Sequence, residues 1–162
     1  MRRVPELLAE AESRCRAMLV PFTIQRRAVF AALAARADHP TAEELFRDVQ
    51  DRVPGLSKAT AYRTLDKLVE LGLVRRVSHP GAAARFDAKT HRHHHLVCER
   101  CGSITDLELG ALDAVPVNDL SAAQLSEAGF ALRDFSILLH GLCRACARRE
   151  PATDCIQPEG TV

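Results

Sequence analysis

Two short cysteine pairs carry the sharpest chemistry in this chain, Cys98-Glu99-Arg100-Cys101 and Cys143-Arg144-Ala145-Cys146. Two intervening residues let both thiolates of a pair face one tetrahedral ion. Four thiolates favour Zn²⁺ in a closed structural site, which would clamp a sheet too small to be stable alone. A redox pair and two disulfides are the other readings. The second pair weakens the first of these, and a reducing compartment weakens the second. Cys15 and Cys155 are left over and read as a core thiol and a tail thiol.

A histidine run, His91-Arg92-His93-His94-His95, lies just before the first pair. On an extended strand His91, His93 and His95 share one face and His94 points the other way. A solvated polar run is the bland alternative. Asp87 and Asp106 flank the run, and imidazole with carboxylate suits Fe²⁺ or Mn²⁺ as well as Zn²⁺. A second, exchangeable metal site is therefore expected here.

The elements that must position these groups follow from periodicity and caps. Residues 5–18 read as a helix with Leu7, Leu8, Ala11, Cys15 and Met18 on its apolar side. Thr23 caps a second helix to about residue 35, with Ile24, Ala28, Val29, Ala31, Ala32 and Leu33 buried. Thr41-Ala42-Glu43-Glu44 is a capping box opening a third helix that packs through Leu45, Phe46 and Val49. Ser57 caps a fourth, residues 58–71, packed through Ala61, Leu65, Leu68, Val69 and Leu71, and Gly72 stops it. Residues 73–77 and 84–86 then form a hairpin around His79-Pro80-Gly81. That order is a winged helix-turn-helix. Further on, residues 95–98, 103–107 and 130–142 read as three strands, with a short helix over 119–128. The tail is expected to be disordered.

Composition bounds the function. With 47% hydrophobic and 27% charged residues the chain is a folded globular protein. Its 162 residues make one to one and a half domains. It has 6 Phe, 1 Tyr and no Trp, so its core must be built from Leu, Val, Ile and Ala. A net charge of +1 weighs against a strongly basic nucleic-acid binder. The charge is divided, however. Residues 1–78 hold 14 basic and 10 acidic side chains, and residues 79–162 hold 8 and 11, so the two halves suit different partners. No apolar run is long enough for a bilayer and no secretory signal is visible, so a cytoplasmic protein without a membrane partner is expected.

Several motifs together resemble the ferric uptake regulator (Fur) superfamily. They are Asp38-His39-Pro40-Thr41-Ala42-Glu43-Glu44-Leu45, Ser57-Lys58-Ala59-Thr60-Ala61-Tyr62-Arg63-Thr64-Leu65, Gly72-Leu73-Val74 and His93-His94-His95-Leu96-Val97-Cys98-Glu99-Arg100-Cys101-Gly102. The resemblance spans roughly residues 20–147 and implies homodimeric, metal-dependent transcriptional repressors rather than enzymes. The fold it implies is α+β, an N-terminal winged helix-turn-helix followed by a small α/β dimerisation domain with a three-stranded sheet. The expected boundaries are 1–86 for the DNA-binding domain (1–20 being a helical extension), 87–92 for a hinge, 93–147 for the metal-binding dimerisation domain and 148–162 for the tail.

By the same resemblance Cys98, Cys101, Cys143 and Cys146 hold structural Zn²⁺. His39, Asp87, His93, His95 and Asp106 fall on the regulatory site. Iron-sensing members usually carry Glu at the positions of Asp87 and Asp106, and zinc-sensing members often carry Cys at the first. Two Asp is the pattern of the peroxide-sensing branch, which uses Fe²⁺ or Mn²⁺ as corepressor; Zn²⁺ is a further occupant in isolated protein. With Fe²⁺, peroxide oxidises a ligand histidine, and His39 and His93 are the implied targets. A third site of some members would fall on Arg92, His94, Asp113 and Phe135. Arg and Phe cannot ligate, so that site is expected to be absent.

The fourth helix is expected in the major groove of an operator, an AT-rich inverted repeat by the resemblance. Tyr62 and Arg63 are the candidates for base contacts, Ala59 and Thr60 for thymine methyls, and Lys58, Arg26 and Arg27 for phosphates. Arg75, Arg76 and Arg85 of the wing are candidates for backbone or minor groove. Two alternatives stand beside peroxide sensing: a repressor that senses iron, manganese or zinc availability without oxidation, and a His/Asp metal-centre enzyme.

Overall fold

The computed structural model describes residues 3–78, 83–108, 110, 127–129, 131 and 134–149. Four helices come first: α1 (Val4–Ala17), α2 (Ile24–Ala34), α3 (Ala42–Val49) and α4 (Lys58–Glu70). Side-chain caps set three of their starts. The Arg26 N–H donates to Thr23 Oγ1 at 3.3 Å, Glu44 N–H to Thr41 Oγ1 at 3.2 Å, and Thr60 N–H to Ser57 Oγ at 3.2 Å. The Glu44 carboxylate returns to the Thr41 N–H at 2.7 Å and completes the capping box. The end of α4 is sealed from a distance. Gly72 turns left-handed at φ +65°, and the Arg14 guanidinium of α1 donates to the carbonyls of Gly72 and Leu71.

These helices share one apolar core, in which Val29, Leu33, Leu45, Leu65 and Leu68 are fully enclosed. Cys15 is buried in it as an ordinary core thiol. Met18 and Ile24 are expected core positions that are not in it, being 52% and 78% exposed. The buried stripe of α2 runs through Val29, Phe30 and Leu33. Ile24 lies five residues before Val29, about 140° round the helix, and so off that stripe.

A hairpin follows, β1 (Arg75–Val77) antiparallel to β2 (Arg85–Asp87). It is shorter than the pattern suggests because Leu73 and Val74 turn into the helical core instead of pairing. Then come β3 (His94–Cys98), β4 (Ile104–Leu107), β5 (Leu138–Gly141) and the single turn α5 (Arg144–Ala147). The sheet order is β4-β3-β5, with β4 antiparallel and β5 parallel to β3. β5 is a short piece of the strand expected over 130–142; residues 134–137 precede it outside the strand, with the Ile137 carbonyl accepting from the His95 N–H at 3.0 Å. The helix expected over 119–128 lies almost wholly outside the described residues, as do Asp113, Cys155 and the tail from residue 150.

Helices and two small sheets make an α+β fold. Val77 of the hairpin packs with Val97, Ile104 and Leu138 of the three-stranded sheet in a second, smaller cluster. Among the described residues no helix is long and apolar enough to cross a membrane. Leu65→Ala is expected to cost about 2–5 kcal/mol in urea denaturation, while Ile24→Ala should stay within about 0.5 kcal/mol.

Candidate metal centre

Strand register builds the first half of the centre. His95 on β3 stands directly opposite Asp106 on β4, so both side chains leave the same face of the sheet. His93 lies two residues before His95 and points to that face as well. Its ring is oriented by a contact of Nδ1 with the His91 carbonyl at 3.0 Å, which leaves Nε2 for the centre. His91 is exposed and takes no place in the cluster.

The other half arrives from the N-terminal elements. Asp87 ends β2. His39 sits in the loop before α3 with a left-handed backbone, φ 51°, which is uncommon for a residue with a Cβ. Contacts from β2 hold it there. Arg85 donates to the His39 carbonyl at 2.8 Å, and the Phe86 N–H donates to the Pro40 carbonyl at 3.0 Å.

The result is a cluster of five groups, His39, Asp87, His93, His95 and Asp106, each with a ligand atom within 4.8 Å of all the others. Nε2 of His39 lies 2.8 Å from Asp106 Oδ1 and 3.6 Å from Asp87 Oδ2. Nε2 of His93 lies 2.8 Å from Asp87 Oδ2 and 3.5 Å from Asp106 Oδ1. Nε2 of His95 is 3.9 Å from Asp106 Oδ1. All five atoms are buried, and none satisfies hydrogen-bond geometry despite these approaches. Groups that share an ion behave this way, since two ligands each about 2.1 Å from a metal and at right angles lie about 3 Å apart. The donor set of three imidazoles and two carboxylates therefore fits a divalent cation.

The electrostatics agree. Burial pushes the Asp87 carboxyl up, but His39, His93 and the Lys89 N–H outweigh it and hold the acid well below its usual range. Asp87 raises His93 against the effect of burial. Burial, then the facing His93 and His39, push His95 down to about 4, so it stays a neutral nitrogen donor.

The four cysteines of the two pairs form a second cluster. Cys98 ends β3, and a tight turn through Gly102 (φ +67°) brings Cys101 back beneath it. Cys143 and Cys146 bracket the start of α5 after β5. All four are free thiols. Sγ of Cys101 and Cys143 stand 3.8 Å apart, far beyond a disulfide bond of about 2.05 Å. Four sulfurs about 2.3 Å from one zinc give tetrahedral edges close to that separation. N–H donors of Cys143 and Cys101 lower the Cys98 thiol to about 6. Burial and the neighbouring thiols push Cys146 up to about 12.

Three of the four positions named for a third site are described, and they pack against one another. The Arg92 guanidinium stacks 4.6 Å from the centre of the Phe135 ring, and His94, fully buried, lies 5.7 Å from it on its centroid. Arg92 and Arg75 both pair with Asp134, at 3.3 and 2.5 Å, and so tie the hairpin to the chain before β5.

Of the residues expected at DNA, Tyr62 and Arg63 stand exposed on α4, Arg63 opposite its buried Ala61, Leu65 and Leu68 and Tyr62 at the edge of that stripe. Thr60 is half-buried beside the Ser57 cap, and Arg63 donates to its hydroxyl at 3.3 Å. Lys58 pairs with Glu43 at 2.6 Å and Arg27 with Glu12 at 3.2 Å, while Arg26 caps the Pro21 carbonyl. The hairpin arginines each have a partner within the fold. Arg75 reaches Asp134, Arg76 pairs with Asp66, and Arg85 holds the His39 loop. Arg85 and Lys89 matter to the centre, yet no spacing signals their side chains, which act on partners 46 and 17 residues away.

Residues 19–147 match the ferric uptake regulator family, and the chain belongs to it. Members are transcriptional regulators, not enzymes. The chain is 34% identical over 131 residues to the peroxide operon regulator of Bacillus subtilis (strain 168), covering 81% of this chain and 87% of the relative. It is 30% identical to a solved zinc uptake regulator complexed with zinc and DNA, with a TM-score of 0.66 over 91% of this chain and 97% of the other. The Helicobacter pylori ferric uptake regulator shares the fold, with a TM-score of 0.71 at 17% identity over 93% and 97% of the two chains.

Arg85→Met is expected to lose about 1.5–3 kcal/mol of stability in metal-free protein by releasing the His39 carbonyl from a charged donor. Urea denaturation reads this. Arg85→Met at wild-type stability would show that the loop is held by its backbone contacts alone.

Proposed function

We propose that this chain is a homodimeric, metal-gated transcriptional repressor that responds to peroxide. One observation carries the reading: the five-group cluster draws ligands from both halves of the chain. His39 and Asp87 belong to the helical and hairpin elements, and His93, His95 and Asp106 to the three-stranded sheet. We take residues 1–86 as a winged helix-turn-helix DNA-binding domain, 87–92 as a hinge and 93–147 as the dimerisation domain. Cys98, Cys101, Cys143 and Cys146 hold structural Zn²⁺. The other five hold Fe²⁺ or Mn²⁺.

Each residue has a part in the gate. His39 and Asp87 fasten the DNA-binding half, and His93, His95 and Asp106 fasten the sheet. Gathered at one point, they fix the angle between the halves, and in a dimer this sets the separation of the two α4 helices. DNA accepts only separations that match its helical repeat. Bound Fe²⁺ supplies the redox chemistry toward peroxide that Mn²⁺ does not. Oxidation of His39 or His93 removes a nitrogen donor and frees the halves. Tyr62 and Arg63 read bases from α4, Thr60 touches a thymine methyl, and Lys58, Arg26 and Arg27 lie beside the backbone of an AT-rich inverted repeat.

Dimerisation has a surface available. Leu96 and Leu139 pair across β3 and β5 and are each 43% exposed, with Leu142 close by. We place the protein in the cytoplasm, where the free thiols stay reduced.

Two experiments test this. With Fe²⁺ bound, low hydrogen peroxide is expected to release operator DNA and add one oxygen to His39 or His93 by peptide mass; with Mn²⁺ neither follows. DNA binding that tracks metal concentration with no mass gain would favour sensing of metal availability instead. Separately, Cys98→Ser is expected to lose chelator-resistant zinc and to run as a monomer by light scattering. An intact dimer without zinc refutes the clamp.

A further inference from the structure

Lys89 stands behind both carboxylates of the five-group cluster. It lies between β2 and β3, two residues after Asp87. Its backbone N–H donates to Asp87 Oδ1 at 2.8 Å. Its ammonium pairs with Asp106 Oδ2. One residue therefore occupies one oxygen of each acid. The remaining oxygens, Asp87 Oδ2 and Asp106 Oδ1, are the two that face the imidazoles and lack hydrogen bonds.

We propose that Lys89 is a positioning residue that confines Asp87 and Asp106 to one donor oxygen each, and so tilts the centre's metal preference away from Mn²⁺ and toward Zn²⁺. The proposal rests on the regulatory-metal reading above. Two physical effects combine. A carboxylate whose second oxygen is held by an ammonium cannot turn to chelate with both. That withholds a further oxygen, which matters most to Mn²⁺, an ion that favours oxygen-rich, six-donor surroundings, and least to Zn²⁺, which is content with few ligands. The ammonium also places a unit positive charge beside the ion and weakens every divalent cation. Lys89 is well placed to be changed without disturbing the core. Its side chain is 39% exposed, and it lines a cavity of about 490 Å³ that also reaches His39, Asp87 and Asp106.

The test titrates Mn²⁺, Zn²⁺ and Co²⁺ into the full chain with its cysteine-bound zinc retained and no DNA present. Wild type is compared with Lys89→Met, Lys89→Ala and Lys89→Arg. Either neutral variant is expected to bind Mn²⁺ about tenfold more tightly and Zn²⁺ no more than about threefold. Its Co²⁺ visible absorption should weaken as a further oxygen joins, while Lys89→Arg keeps the wild-type spectrum and affinities. Retained zinc and an unchanged circular dichroism spectrum show that a variant is folded, and the pair of neutral variants guards against the failure of one. An unchanged Co²⁺ spectrum, or equal tightening of Mn²⁺ and Zn²⁺, overturns the role of Lys89 while leaving the regulatory site intact. A wild-type chain that takes up no second ion overturns the regulatory reading, and this inference with it.

Discussion

Five buried donor atoms without hydrogen bonds are the constraint around which the rest of the molecule is arranged. A buried polar atom with no partner costs on the order of 1–3 kcal/mol, and here five converge on one point. Such a cluster persists only if each member is held by something else. His95 and Asp106 are held by their register across β3 and β4, Asp87 by the hairpin, His93 by the His91 carbonyl, and His39 by Arg85. The apolar clusters supply the stability, and these anchors direct it to one place.

The cysteine cluster acts on that place through register. The turn from Cys98 to Gly102 joins β3 to β4, and its length decides that His95 faces Asp106. A slip of one residue would turn Asp106 to the opposite face of the sheet. The cysteines gathered beside that turn therefore help determine whether the five-group cluster can form. The parallel pairing of β3 and β5 completes the arrangement. It sends the ends of both strands the same way, so two cysteine pairs distant in sequence meet at one edge.

Much of this is legible in the sequence, for identifiable reasons. Thr23, Thr41 and Ser57 mark helix starts because cap chemistry is local. The cysteine pairs declare themselves because tetrahedral ligation restricts spacing. His93 and His95 follow from the two-residue period of a strand. Long-range geometry is hidden. His39 has no neighbour in the chain that marks it as a donor, and only motif resemblance connects it with the histidine run. Arg75 and Arg85 are visible as hairpin cations, but nothing near them in the chain announces Asp134 and the His39 carbonyl as their partners. Met18 and Ile24 match an apolar pattern but fall outside the arc that the core covers.

The parallel pairing of β3 and β5 also brings together distant parts of the chain, since Cys101 and Cys143 beside it are 42 residues apart. The entropy lost in closing such a loop grows only with the logarithm of its length, by about 0.6 kcal/mol per doubling. The chain between β4 and β5 is thus under little thermodynamic pressure to keep its length, provided that Asp134 still reaches Arg75 and Arg92. A change in the length of that connection is therefore a cheap one, while the strands on either side keep both clusters in place.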